Sequence, residues 1–428
     1  MATTTYPTAG SLSPRAREVC APRGGRARSA VGRRSSFSSS ASPDAPANAL
    51  SRYRRKVSNH PLVTCDDPAG WRRGARMNLR ALGAADPDTP ERQRNCGAVP
   101  VGDRVEIRVK DGSAYYCGLE TCGNVWLCPV CSAKIHYRRA AELRDALSTW
   151  EAGGHAASLV TITVPHDLDD PLSKLVDTER AAWKHVTAGA GWQRLKRRLG
   201  IAGHIIALEF TWGDENGWHP HYHVLLVHDQ DLNAACIAAL HAHIHSRLAA
   251  ACGDHGLRQP DQLHAVRVDP NVSGTAAGAY IAKGGDWTPA EELTRGDLKT
   301  GRARGRTPFQ ILADYYQTGD TRDRDLWHEY GDATHGLAAV RWSRSTRSLI
   351  LGTAVSSERT DEELAAEEVN GNLVTVILTP AWSRIRRAGL EHAVLVAAAR
   401  EGLNAVNALI RQADCASHDH RQQEKEQR

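Results

Sequence analysis

"GWHPHYHVLLV", Gly217 to Val227, sets His219, His221 and His223 at alternate positions of an apolar run. Successive side chains of a strand point to opposite faces, so the three imidazoles share one face and Tyr222, Val224 and Leu226 share the other. Pro220 has no amide hydrogen to give a ladder, which puts His219 at the strand's start or edge and makes His221 and His223 the inner pair. One such histidine is an ordinary core or surface residue. Two or three on one face of an apolar strand can hold a single cation. "HAHIH" (241–245) has the same spacing inside an Ala/Leu-rich helical stretch. There the helical period separates the three, and they read as helix surface.

The flanks extend the pattern. "HIIALEFTW" (204–212) reads as a strand and "GDENGW" (213–218) as the turn that joins it to the histidine strand. Such a hairpin sets Glu209 opposite His221 or His223 with the same facing. A carboxylate in this apolar strand is costly without a partner, so Glu209 is the expected third ligand. Two imidazoles and a carboxylate with open positions suit Mn²⁺, or Mg²⁺ with waters, better than a closed zinc site. "SLVTITV" (158–164) and "LHAVRVD" (263–269) read as further strands. Residues 171–200, 231–253 and 273–285 carry helical spacing and end at glycines. The order β-α-β-β-α-β-α gives an α+β fold, an antiparallel sheet of the split-βαβ type with helices on one face.

The last of these helices, "SGTAAGAYIAKGG", brings Tyr280 and Lys283 onto one face. A phenol has a pKa of about 10 and needs help to attack; a nearby cation stabilises the phenolate. Alone, the tyrosine is a packed helix residue. Beside a histidine strand it is a candidate nucleophile, and the small residues around it let a DNA strand approach.

"CGLETCGNVWLCPVCSAKI" spaces Cys117, Cys122, Cys128 and Cys131 as C-x4-C-x5-C-x2-C. Four thiolates fit a tetrahedral structural Zn²⁺, with Cys96 as a possible replacement for one of them. Ten cysteines in 428 residues make no disulfide scaffold and suit a reducing compartment, the cytoplasm. No apolar run is long enough for a membrane span. A net charge of +5 implies that any nucleic-acid surface is local. "WQRLKRR" (192–198), with Lys196, Arg197 and Arg198 after Trp183 and Trp192, is one candidate. "KTGRARGR" (299–306), with Arg302, Arg304 and Arg306, is another. Basic side chains with aromatics suit phosphate contacts and base stacking, although solvated helix faces look alike. Residues 1–50 are Ser/Arg/Ala/Pro/Gly-rich and are expected to be disordered. Their Arg-rich, acid-poor composition is that of an organellar transit peptide, but no amphipathic helix accompanies it.

Together these motifs resemble the HUH endonucleases, specifically the rolling-circle replication initiators of actinobacterial plasmids. "LVTITVPH" (159–166) looks like the first family motif, "WHPHYHVLLV" (218–227) like the His-hydrophobic-His motif, and "AYIAK" (279–283) like the Tyr-x-x-Lys motif. "CPVCSAKI", "RTPFQILADYY" and "DLWHEYGDATHG" extend the likeness over roughly residues 115–345. The resemblance implies a site-specific nick at a plasmid origin, single-stranded or cruciform at the cut. Tyr280 would become linked to the 5′ end, and the freed 3′ hydroxyl would serve host DNA polymerase, with a host helicase opening the duplex. His221 and His223 would hold the metal, with Glu209 as third ligand and His219 as a further candidate; Lys283 would assist at the phosphate. The family's acid or second tyrosine one helical turn from the nucleophile is missing, since Ala276 and Gly284 stand there. The implied organisation is a tail (1–50), an N-terminal region with the zinc cysteines (51–135), and the nuclease domain (136–285). A helical DNA-contacting extension (286–350) and an acidic linker with a C-terminal helical region (351–428) follow.

Three rivals compete. A transposase or conjugative relaxase shares the chemistry; relaxases place the tyrosine before the histidines, and single-strand transposases are shorter. A non-catalytic zinc-containing DNA-binding regulator explains the cysteines and basic patches but not the His/Glu/Tyr set. A small-substrate metallohydrolase would not use Tyr280 and would need a water-activating base.

Overall fold

A computed structural model describes residues 68–272, 305–352 and 359–426. Residues 1–50, Tyr280, Lys283, Ala276, Gly284, Arg302 and Arg304 lie outside the described residues. The chain opens with helices α1 (Pro68–Ala85) and α2 (Glu91–Asn95), then a hairpin of β1 (Arg104–Lys110) and β2 (Ser113–Cys117). Helix α3 (Pro129–Ala152) leads to β3 (Ala156–Ile162). Helices α4 (Leu172–Val186) and α5 (Gly189–Arg198) precede β4 (Ile201–Gly213) and β5 (Gly217–His228). Then come α6 (Ala234–Asp254), β6 (Val266–Asp269), β7 (Gly305–Arg306), α7 (Pro308–Thr318), α8 (Thr321–Thr334), β8 (Val340–Trp342) and α9 (Thr346–Leu351). The chain finishes with α10 (Asp361–Ala366), β9 (Asn372–Leu378), α11 (Thr379–Arg387), α12 (Glu391–Arg400) and α13 (Leu403–Glu426).

The main sheet runs β6-β3-β5-β4-β7, with β8 on the outer edge of β4 beside β7, and all its pairs are antiparallel. The α+β class and the order β-α-β-β-α-β are as expected. The stretch 171–200 is two helices: α4 ends at Val186, and Gly189, in a left-handed conformation at φ +74°, opens α5 in a new direction. At the β4–β5 hairpin Gly217 has φ +76°, and a Cβ there would lie 3.0 Å from the Asp167 carbonyl oxygen.

Helices do not keep to one face. Residues 222–228 are buried without interruption, the signature of a strand covered on both sides. On one face Tyr222, Val224 and Leu226 pack with Leu175 and Val176 of α4 and Leu240, Ile244 and Leu248 of α6. On the other, Leu159, Ile205, Leu225 and Val227 are apolar too. They are covered by Leu143, Leu147 and Trp150 of α3 and by Ile350 of α9. Leu225 is fully buried, so Leu225→Ala would cost about 2–5 kcal/mol.

The N- and C-terminal segments are not separate regions. β9 pairs β1, completing the three-stranded sheet β2-β1-β9, and Val105, Ile107, Ile377, Trp382, Ile385 and Val394 form one core. The acidic stretch expected as a linker contains α10, whose Leu364 and Ala365 are buried.

Candidate metal centres

On the second face of the main sheet the apolar cover stops and a polar patch begins. The register pairs Glu209 with His221, Ala207 with His223, and Thr161 with His223. The Glu209 carboxylate accepts from His223 Nε2 at 2.8 Å. His223 Nδ1 lies 3.3 Å from Thr161 Oγ1. His221 Nδ1 lies 2.8 Å from Thr163 Oγ1. His166 Nδ1 donates to the Val164 carbonyl, so His166 Nε2 accepts from His219 Nδ1 at 3.0 Å. The imidazoles form a row, with ring centroids 4.2 Å apart for His219–His221 and 5.8 Å for His221–His223.

Burial holds His219 and His221 neutral. It lowers His219 to about 3, with His221 and His166 adding to the effect. It lowers His221 to about 4, against the opposing pull of Glu209. Burial alone would raise Glu209, but its bond to His223 and the imidazoles around it outweigh this and keep it below the usual carboxylate range. Neutral imidazole and ionised carboxylate are the forms that ligate a cation. Thr161 and Thr163, held by the neighbouring strand, orient the rings as outer partners of ligands do. These two threonines and His166 were not singled out from sequence, although the alternation of "LVTITVPH" puts both threonines on one face. Glu209, His221 and His223 thus come together. Their donors are less tightly gathered than those of the cysteines, the one group among the described residues whose donors all lie within 4.8 Å of one another.

That cysteine group is Cys96, Cys122, Cys128 and Cys131, not the expected set. Cys117 ends β2 opposite Glu106, and burial and the nearby Glu368 raise its thiol. Cys96 takes its place because the chain doubles back: Gly97 donates to the Glu120 carbonyl and Glu120 to that of Val99. Cys128 caps α3, accepting from the Cys131 amide. Sulfur separations are 3.4 Å for Cys96–Cys131, 3.6 Å for Cys96–Cys128 and 3.7 Å for Cys122–Cys131. Zinc–thiolate bonds of about 2.3 Å set tetrahedral edges of about 3.8 Å, so the cage fits after a small expansion. The Cys131 thiol is strongly lowered, because Cys122, Cys128 and Cys96 converge on its sulfur.

The expected DNA contacts divide. Arg197 and Arg198 are exposed and Lys196 is half-buried on the last turn of α5, where cations also complement the helix dipole. Trp183 and Trp192 are buried, one bonded to His204 and the other stacked on His243, so they offer no stacking surface. Arg306 is engaged inside the protein. It pairs with Asp323 at 2.8 Å, Asp314 at 3.1 Å and Asp214 at 3.7 Å, tying the hairpin turn to α7 and α8. His241 and His245, one turn apart, stack on each other and give their Nε2 atoms to the Val266 and Pro260 carbonyls, a structural role.

No helix among the described residues is long and apolar enough to cross a membrane. Residues 119–234 match the model of a family described as Replication protein. The chain is 28% identical over 355 residues to "Protein rep" of Streptomyces lividans, spanning 68% of this chain and 78% of that protein. It is 36% identical over 144 residues to a "Neomycin resistance protein" of Streptomyces cyanogenus, 28% of this chain and 33% of that protein. No solved structure matches. The strands that carry Glu209, His221 and His223, and three of the four clustered cysteines, fall inside the matched segment, so the likeness to the Replication protein family lies where these candidate ligands are.

Proposed function

We propose that this chain initiates replication of a plasmid by nicking one strand of the plasmid's origin. The family of residues 119–234 and the likeness to Protein rep support replication initiation. The observation that carries the finer reading is the joining of His221, His223 and Glu209 on one sheet face, with neutral His221 and anionic Glu209. Mn²⁺ or Mg²⁺ held there supplies a Lewis acid for a phosphodiester oxygen. Thr161 and Thr163 fix the rings, so the site is set before DNA arrives.

Tyr280 is the nucleophile. Its phenol oxygen bonds to phosphorus, the bond to the 3′ oxygen breaks, and the phenol proton passes to solvent as the 3′ hydroxyl takes one up. The protein stays on the 5′ phosphate, and host polymerase extends the free 3′ end once a host helicase opens the duplex. Lys283 offsets charge on the phosphate, and Lys196, Arg197 and Arg198, with Arg302 and Arg304, follow the backbone of single-stranded or cruciform DNA. Zn²⁺ in the Cys96, Cys122, Cys128 and Cys131 cage braces the start of α3 against the segment around α2. The work is cytoplasmic.

The test incubates labelled single strands of the host plasmid with the full chain and Mn²⁺ or Mg²⁺, and looks for a covalent adduct on a denaturing gel. An adduct mapped to Tyr280 by mass spectrometry, and lost in His221→Ala, is expected. No adduct on any origin-bearing DNA with folded, metal-loaded protein would return the chain to a zinc-containing DNA-binding regulator.

A further inference from the structure

Among the described residues, the outer edge of β4 has strand partners only towards its ends, with Leu208 donating to the Ala339 carbonyl between them. β8 pairs with Ile205–Ala207 and β7 with Trp212–Gly213, and no strand among the described residues pairs the stretch between them on that side. A cavity of about 60 Å³ opens there, walled by Trp126, Phe210, Phe309 and Tyr330, with Glu209 and His136 at its lining. That is room for about four waters, comparable to one flat ring. The walls are stiff. Trp126 and Tyr330 meet Phe210 edge to face with centroids 5.3 and 5.6 Å apart, and Trp327 supports Phe309 at 5.9 Å. Phe309 lies on α7 and Tyr330 on α8.

Glu209 belongs to both places, bonding His223 while lining the cavity. Phe210, Trp126 and Tyr330 pack on the Tyr222 face and Glu209 points to the histidine face, so a guest in the cavity sits round the edge of β4 from the phosphate site. Aromatic walls next to a phosphate site suit an unstacked nucleobase, whose ring stacks and whose edge is read by hydrogen bonds. The polar groups set the edge. His136 Nδ1 lies 2.9 Å from the Ser132 carbonyl oxygen and must carry the hydrogen, which leaves Nε2 as an acceptor. The Glu209 carboxylate also only accepts.

Building on the nicking function proposed above, we infer that this cleft holds one base of the single strand next to the cut, and favours a base with an exocyclic amino group. Cytosine or adenine gives the two acceptors an amino donor; thymine turns a carbonyl towards one of them and leaves it unpaired.

Photo-cross-linking of the full chain tests this without cleavage. Short random-sequence single strands carry either 5-iodocytosine or 5-iodouracil, and cross-linked peptides are mapped by mass spectrometry. Cross-links are expected on the peptides of Trp126, Phe309 or Tyr330, about tenfold stronger with iodocytosine, the discrimination of one buried hydrogen bond. Phe309→Leu, which keeps an apolar side chain in place, is expected to weaken them. Cross-links confined to other peptides would overturn the cleft, and equal yields from the two bases would overturn the amino preference. Tyr280→Phe is expected to cross-link like the natural chain. Retained cross-links with no adduct in the natural chain would strike the nickase and spare the cleft; an adduct without these cross-links would do the reverse.

Discussion

Replacing Cys96 by serine is the sharpest test of the cysteine cage, because spacing alone favours Cys117. Cys96 is wholly buried, its sulfur is 3.4 Å from that of Cys131 and 3.6 Å from that of Cys128, and a serine hydroxyl there cannot act as a thiolate. Structural zinc contributes about 10–16 kcal/mol of binding free energy through four thiolates. Losing one of four equal shares removes roughly 3 kcal/mol, weakening the metal about a hundredfold. The assay is zinc content by mass spectrometry after equilibration with a graded chelator. Cys96→Ser is expected to release zinc at about a hundredfold lower chelator strength, while Cys117→Ser tracks the natural chain. Zinc loss on Cys117→Ser, with retention in Cys96→Ser, would refute the assignment.

Other outcomes follow from the same geometry. Mild chelation, or His221→Ala or His223→Ala, should abolish adduct formation while DNA affinity changes less than about threefold, because in the proposed function these groups would act on the phosphate rather than on backbone contacts; parallel loss of both in a binding titration would sink a catalytic metal. Glu179 is 1% exposed, and burial raises it well above its usual value, with the Val164 backbone opposing. The native chain therefore keeps the proton that the unfolded chain releases above about 4.5. Stability should fall as pH rises from there towards the native value, by at most about 1.4 kcal/mol per pH unit from this group, and Glu179→Gln should flatten that slope in urea titrations. A slope unchanged in the variant would show that Glu179 is not its source. Arg306→Ala leaves the buried Asp323 without its cation and should lower stability by about 2 kcal/mol, discounted for the partial exposure of Arg306. Calorimetry checks it, and loss of DNA affinity with full stability would restore Arg306 to the DNA surface.

The central strands were legible because their signals are local. The alternation 219–227, the turn at 213–218 and the facing of Glu209 all depend on residues a few positions apart. The fourth cysteine was not, since Cys96 reaches the cage through backbone bonds between 97–99 and Glu120 that no spacing rule contains. The second helical cover follows from Leu159, Ile205, Leu225 and Val227, each unremarkable until strand order makes them neighbours. Trp183, Trp192 and Arg306 show the converse error: a composition typical of DNA contacts, used instead by core and fold. The pairing of β1 with β9 joins segments too distant for any local pattern to announce.

That last pairing ties biosynthesis to completeness. During translation, the main sheet can leave the ribosome and collapse while β1 still lacks its outer neighbour and Val105 and Ile107 lack Ile377, Trp382 and Val394. Only when the final stretch emerges is the first sheet sealed. A chain stopped before Asn372 would keep a bare, apolar edge, a surface prone to capture by chaperones or by other nascent chains. Such a truncation should bind a hydrophobic dye and sediment as aggregate, where the finished chain does neither; a truncated chain that stayed monodisperse would show the seal to be dispensable. A protein cut short before β9 by a frameshift or a stalled ribosome would then be removed before it could act, and the sealed sheet would belong only to molecules translated past Leu378.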